Sequence, residues 1–209
     1  MKKIFITLIL LLLSYNVSAY ENEYFNINIP EYYVEDGIKA SIYKWINTNN
    51  TNENIVITVS KNENHQQIKK YTANDIKEYE EYLKKQLDEE LKEYNINVEI
   101  SNTKKEIING IYNLNYYVYW PTKDSIGYNI YQKGYIFTTN DLIFVCNFTS
   151  DKDLINNNDL INIINSFNPN NYKNNKNLRV KLVILTGTLA AIISTIIKYI
   201  KAKKHKSNN

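Results

Sequence analysis

The sequence predicts an α+β domain, a mostly antiparallel β-sheet with packed helices, followed by a C-terminal transmembrane helix. Three observations lead there. Apolar residues alternate with polar ones in successive short segments between residues 25 and 148. A 3.6-residue period runs from Ile76 to Tyr94, and an uncharged apolar stretch runs from Leu182 to Ile197.

Phe25, Ile27 and Ile29 alternate with Asn26 and Asn28 until Pro30, which cannot donate to a ladder, stops the first strand. Ile38 to Ile46, entered from Gly37, reads as a second strand, and Ile55, Ile57 and Val59 mark a third. Thr72 and Asp75 then have the spacing of a capping box. Behind it Ile76, Tyr79, Leu83, Leu87, Leu91 and Tyr94 share one helical face. Glu78, Glu80, Glu81, Lys84, Lys85, Asp88, Glu89 and Glu90 make the solvated face.

Four strands are expected next. Ile96, Val98 and Ile100 form one, and Asn109-Gly110 signals a type I′ hairpin, since both residues tolerate positive φ. Tyr112 to Trp120 and Tyr128 to Thr138 follow, and Thr139-Asn140-Asp141 turns the chain into Leu142 to Phe148. That last strand is apolar on both faces, so it belongs at the centre of the sheet, covered on both sides. A closing amphipathic helix starts near Asp151 or Asp153 and carries Leu154, Leu160, Ile161, Ile164 and Phe167.

The two ends of the chain set its expected topology. Lys2 and Lys3, the apolar run Ile4 to Leu13 and Val17-Ser18-Ala19 together read as a signal peptide over residues 1–19. The folded domain occupies 20–168, a polar stalk 169–179, a transmembrane helix 180–200 and a basic tail 201–209. Residues 182–197 reach only about 24 Å at about 1.5 Å per residue. Val180 to Ile200 reaches about 31 Å, enough for the hydrocarbon core, with Lys181 and Lys198 able to snorkel. Five lysines, Lys198 to Lys206, follow the uncharged run ending at Ile197, and no acid lies beyond Asp159, which places the tail in the cytoplasm.

The whole chain carries +3, yet residues 20–177 hold 22 acidic and 16 basic side chains, a net of −6. An acidic outer domain and a basic inner tail argue against nucleic acid as a partner. The expected partners are membrane lipid along 180–200 and, for the domain, a protein of the bacterial envelope. Gly187, Thr188, Ala190, Ala191 and Ser194 resemble a seam of small residues through which such anchors pack.

A family resemblance rests on "YENEYFNINIPEYY", the long mid-domain helix, "INGIYNLNYYVYW", "YIFTTNDLIFVCNFTS" and the closing "LINIINSFNP". These look like the PsbP-like superfamily, which includes the bacterial DcrB-like extracytoplasmic proteins. The shared pattern is F-x-I-x-(I/L)-P at Phe25 to Pro30 and I-x-x-S-F at Ile163 to Phe167, within about residues 20–168. Many such bacterial proteins carry an N-terminal lipid anchor, whereas this chain has a C-terminal span. The resemblance implies a fold and a binding or assembly role; it carries no functional residue across.

The residues themselves offer little chemistry. His65 lies in a polar loop and His205 in the tail, so no metal-ligand spacing exists and no metal or other cofactor is expected. Gly-x-Ser-x-Gly is absent, and five glycines build no phosphate loop. Cys146, the single cysteine, reads as a small buried hydrophobe. No catalytic, cofactor-binding or metal-binding residue is singled out, and the domain reads as non-catalytic. The alternative, an envelope hydrolase using distant carboxylates or tyrosines, requires a deep polar pocket with at least two convergent ionisable groups. Tyr116, Tyr117, Tyr119, Trp120, Tyr128, Tyr131 and Tyr135 cluster on neighbouring strands. Alternation sends Tyr117 and Tyr119 to one face and Tyr116 and Trp120 to the other, as core or as a binding surface.

Overall fold

The computed structural model describes residues 17–39, 41–92 and 96–170. Residues 1–16 of the expected signal run, the transmembrane span 180–200, the basic tail and nearly all of the stalk lie outside them, while Val17 to Ala19 of that run fall in the first strand. In chain order the elements are β1(Val17–Glu21), β2(Phe25–Pro30), β3(Tyr33–Lys39), β4(Ile42–Asn47), β5(Asn54–Lys61), α1(Ala73–Leu91), β6(Glu99–Ile108), β7(Ile111–Trp120), α2(Lys123–Ile126), β8(Ile130–Thr138), β9(Leu142–Ser150), α3(Asn158–Ser166) and β10(Asn168–Pro169). A 3₁₀ turn, Ile68–Lys70, precedes α1.

The strands divide between two antiparallel sheets, β1-β2-β10 and β3-β4-β5-β9-β8-β7-β6. β9 is the middle strand of the larger sheet, and all nine of its residues are buried. Its two apolar faces meet two different layers. Leu142, Phe144, Cys146 and Phe148 join a core with Phe25, Ile27 and Ile29 of β2 and Leu160, Ile163, Ile164 and Phe167 at α3. Ile143 and Val145 join a second core with Leu83, Leu87 and Leu91 of α1. Cys146 is fully buried, and burial pushes its thiol well up, so it packs as a hydrophobe.

The tyrosine-rich strands follow the expected alternation. Tyr117 and Tyr135 are buried in the first core, and Tyr119 and Tyr131 pack against it. Tyr116 and Trp120 are buried in the second, with Tyr128 against them. Asn109 (φ 51°) and Gly110 (φ 78°) make the β6–β7 hairpin with both residues left-handed.

Several boundaries differ from expectation. The single strand Ile38 to Ile46 is two, because β3 and β4 pair Lys39 with Ile42 and Ile38 with Tyr43. The apolar alternation continues through a turn that lacks Asn-Gly chemistry, so the sequence pattern hides it. Gly37, read as the strand's start, sits with φ +94° at a bulge inside β3. β6 begins at Glu99 and not Ile96, although Ile96 and Val98 are buried. α3 begins after the Asn157 cap, whose side chain accepts from the Leu160 amide, so Asp151 and Asp153 precede the helix. The strand expected from Tyr128 begins at Ile130, behind α2 and Gly127 (φ +94°). β1 was not expected as a strand; its Tyr20 packs edge-on to Trp45, with ring centroids 5.0 Å apart. Among the described residues no helix is long and apolar enough to cross a membrane.

The capping box at α1 forms as the sequence predicts. The Asp75 amide donates to Thr72 Oγ1, and the Asp75 carboxylate accepts from the Thr72 amide and hydroxyl at 2.7 Å each. Those bonds, backbone first, hold the Asp75 carboxyl below the usual range. Its contribution to stability is present above the unfolded value of about 3.9 and is lost as pH falls through the lower folded value. Thr72→Ala is expected to cost about 1 kcal/mol at neutral pH. The gap between wild type and variant in urea midpoint should narrow below about pH 4. An unchanged gap at pH 3 counts against this account.

Candidate functional site

The loop from Asn62 to Tyr71 is held at several points, and that fixes the wall of a groove. Asn62 is buried, and its side chain donates to the Gln66 and Thr139 carbonyls at 2.8 Å while accepting from the Gln66 amide at 2.8 Å. Ile68 is buried in the second core beside Leu114 and Trp120. Lys105 Nζ of β6 donates to the carbonyls of Tyr71, at 2.6 Å, and Lys69. His65 takes a left-handed φ of 48° at the tip. Its Nδ1 lies 2.9 Å from the Asn140 carbonyl, which only accepts, so Nδ1 carries the proton and Nε2 is left as an acceptor in the neutral ring.

The opposite wall is the first turns of α1. Asp75, Glu78, Tyr79 and Tyr82 are spaced i, i+3, i+4 and i+7, one helical stripe beside the core-facing one. Together with His65, Gln66, Gln67, Lys70 and Tyr71 they line an open groove of about 550 Å³. That is within the about 300–1,000 Å³ typical of small-ligand clefts.

Electrostatically the groove is balanced and mildly acidic. Asp75 stays ionised, for the reason given above. Burial, then the Asp75 charge, raises Tyr71. Burial, then neighbouring tyrosines led by Tyr116, raises Tyr79 well above the usual phenol range. Both phenols therefore stay protonated at neutral pH. The Tyr71 hydroxyl donates to Gln66 Oε1 at 3.4 Å, and Glu78 accepts from Asn74 at 2.6 Å. Tyr82 is 48 % exposed. The groove thus presents phenols, two planar amides, two carboxylates, one ammonium and one imidazole. The Asp75 carboxyl, held low by its bonds from Thr72, is an acceptor and not a proton donor.

A second polar cluster lies on the other face of the large sheet. The Tyr117 hydroxyl donates to Asp153 at 2.7 Å, and Asn115 donates to Glu106 at 2.7 Å. Glu106 also pairs with Lys104. Half-buried Lys133 reaches the Ile155 carbonyl at 3.5 Å, and desolvation, against the pull of Glu106, lowers it. The bonds of Tyr117 and Lys133 tie the 150–157 loop to the sheet. Among the described residues no group of three or more His, Cys, Asp or Glu is placed to hold a metal ion.

Of the two readings of the tyrosine cluster, core or binding surface, the core holds for most of it, with Tyr116, Tyr117 and Tyr135 buried and Tyr119 and Tyr131 at its margin. Sequence reasoning placed His65 in its loop and Tyr79 on the helix. It did not assemble Gln66, Gln67, Tyr71, Glu78 and Tyr82 into one feature. The i, i+3, i+4, i+7 stripe was the available signal; the facing loop is brought there only by tertiary packing.

No family of related sequences matches the chain, and no curated protein does. Among solved structures the chain is similar to the cyanobacterial PsbP (CyanoP) of Synechocystis sp. PCC 6803, at 10 % identity and a TM-score of 0.48, covering 74 % of this chain and 93 % of that one. It is also similar to a protein of Bacteroides thetaiotaomicron VPI-5482, at 16 % identity and a TM-score of 0.44, covering 69 % of this chain and 44 % of that one. At these identities and scores neither likeness assigns a family or a function to the chain.

Proposed function

We propose that the chain is a membrane-anchored, extracytoplasmic, non-catalytic binding module of a bacterial envelope. The observation that carries this reading is the distribution of charge. Every acid lies between Glu21 and Asp159, and five lysines without an acid follow the uncharged apolar run ending at Ile197. The basic start and short apolar run of residues 1–19 add a secretion signal to the same orientation. The groove supports binding over catalysis, because it is open and its carboxylates are engaged by Thr72 and Asn74 as acceptors.

A reporter active only outside the cytoplasm tests the topology. Joined after residue 168 it should be active, and joined after residue 209 it should be silent. Activity only in the second position would falsify the orientation. Crosslinking of the intact protein in its own membrane should then recover an envelope component in a complex with the domain.

A further inference from the structure

We propose that the groove between the 65–71 loop and α1 binds a neutral, polyhydroxylated chain, a short stretch of glycan. This deepens the binding-module reading and rests on it. The argument is one of matching groups. A sugar hydroxyl both donates and accepts, and it is best met by side chains that offer both roles in a fixed plane. Gln66 and Gln67 are exposed amides with one carbonyl acceptor and an NH₂ each. Glu78 and Asp75 add acceptors, Lys70 adds donors, and the Nδ1–H of His65 is spent on Asn140, leaving Nε2 to accept. Tyr82 lines the same groove and is half-exposed, which leaves ring surface for the C–H face of a pyranose.

Other ligand classes fit less well. An anion would meet two carboxylates, with Asp75 held ionised. An apolar ligand would strip water from amides and carboxylates without replacing their hydrogen bonds. A basic peptide would be drawn by Asp75 and Glu78 and opposed by Lys70, but it would leave the amide and phenol acceptor and donor pairs of the groove without the hydroxyl partners a sugar brings, and the test below includes it as the competing outcome. The site is also pre-organised: Asn62, Ile68 and Lys105 hold the loop before any ligand arrives, so little ordering entropy opposes binding.

The test uses the full chain in mild detergent micelles. One arm titrates chitotetraose and cellotetraose by calorimetry. A second co-sediments the protein with purified wall sacculi, which separates wall glycan from free oligosaccharide. A third titrates a lysine-rich peptide. Saturable binding in either sugar arm is expected, weakened about tenfold in Tyr82→Ala and little changed in Tyr82→Phe, because the ring face and not the hydroxyl makes the stack. Gln66→Ala with Gln67→Ala should weaken the same binding. Three results overturn the proposal: no binding in either sugar arm, sugar binding unchanged in these variants, or Tyr82-dependent binding of the peptide alone. Any of them, alongside an active reporter after residue 168, leaves the binding-module reading standing and removes only the glycan.

Discussion

Gly134→Ala is expected to destabilise the domain by about 3 kcal/mol, more than most single-methyl additions. Gly134 of β8 pairs directly with Tyr116 of β7 on one side and Asn147 of β9 on the other. The Tyr116 side chain lies across that gap, and its hydroxyl donates to Asn147 Oδ1 at 2.8 Å in a fully buried bond. A Cβ on Gly134 would overlap the Tyr116 ring at Cζ. The ring cannot move aside cheaply, since it is 5 % exposed and packs 6.2 Å from Tyr79. Displacing it also leaves a buried amide oxygen unpaired, which costs about 1–3 kcal/mol by itself. Urea unfolding should show a lower midpoint with an unchanged slope. In Tyr116→Ala the same glycine change should cost far less, so the two mutations are strongly non-additive. A Gly134→Ala variant within 1 kcal/mol of wild type, or full additivity with Tyr116→Ala, is the outcome that sinks this account.

This triad also shows what a single sequence can and cannot convey. The run Leu142 to Phe148 is apolar at successive positions, and that alone placed β9 in the centre under two layers, where it lies. Asn109-Gly110 and the Thr72–Asp75 spacing are local chemistries, and they form where their residues predict. The period-two pattern assigns faces but does not say which sheet a strand joins. Phe25 to Pro30 reads the same in a single sheet as in the separate β1-β2-β10 sheet that it nucleates. Tyr116, Gly134 and Asn147 are far apart in sequence, and no local rule links a tyrosine, across a glycine, to an asparagine two strands away. The groove is hidden for the same reason. Its helical stripe is written in the spacing of Asp75, Glu78, Tyr79 and Tyr82, but its facing wall depends on Asn62 closing onto Gln66 and Thr139.

Phe167→Ala should be the most damaging truncation of the first core, at about 3–5 kcal/mol. Phe167 caps α3, its amide bonding back to the Ile164 carbonyl, and its side chain is fully buried. Its ring centroid lies 4.7 Å from Phe137 of β8 and 5.6 Å from both Phe25 of β2 and Phe144 of β9. One side chain therefore joins the small sheet, the large sheet and the closing helix. Removing it loses the transfer free energy of a benzyl group and leaves a cavity, because three strands that are each hydrogen-bonded elsewhere cannot collapse inward. The loss should fall most heavily on β10 and α3. Asn168 and Pro169 form only two ladder positions with β2, and the Asn109 side chain reaches the Asn165 and Phe167 carbonyls from the β6–β7 hairpin. Hydrogen exchange should accordingly rise first at residues 160–170 while β9 stays protected. Phe167→Leu keeps most of the volume and should cost well under half as much, and Ile161→Ala, on the 38 % exposed side of the same helix, should stay within about 1 kcal/mol of wild type. If Phe167→Ala costs no more than Ile161→Ala, the closing phenylalanine is not what fastens the two sheets together.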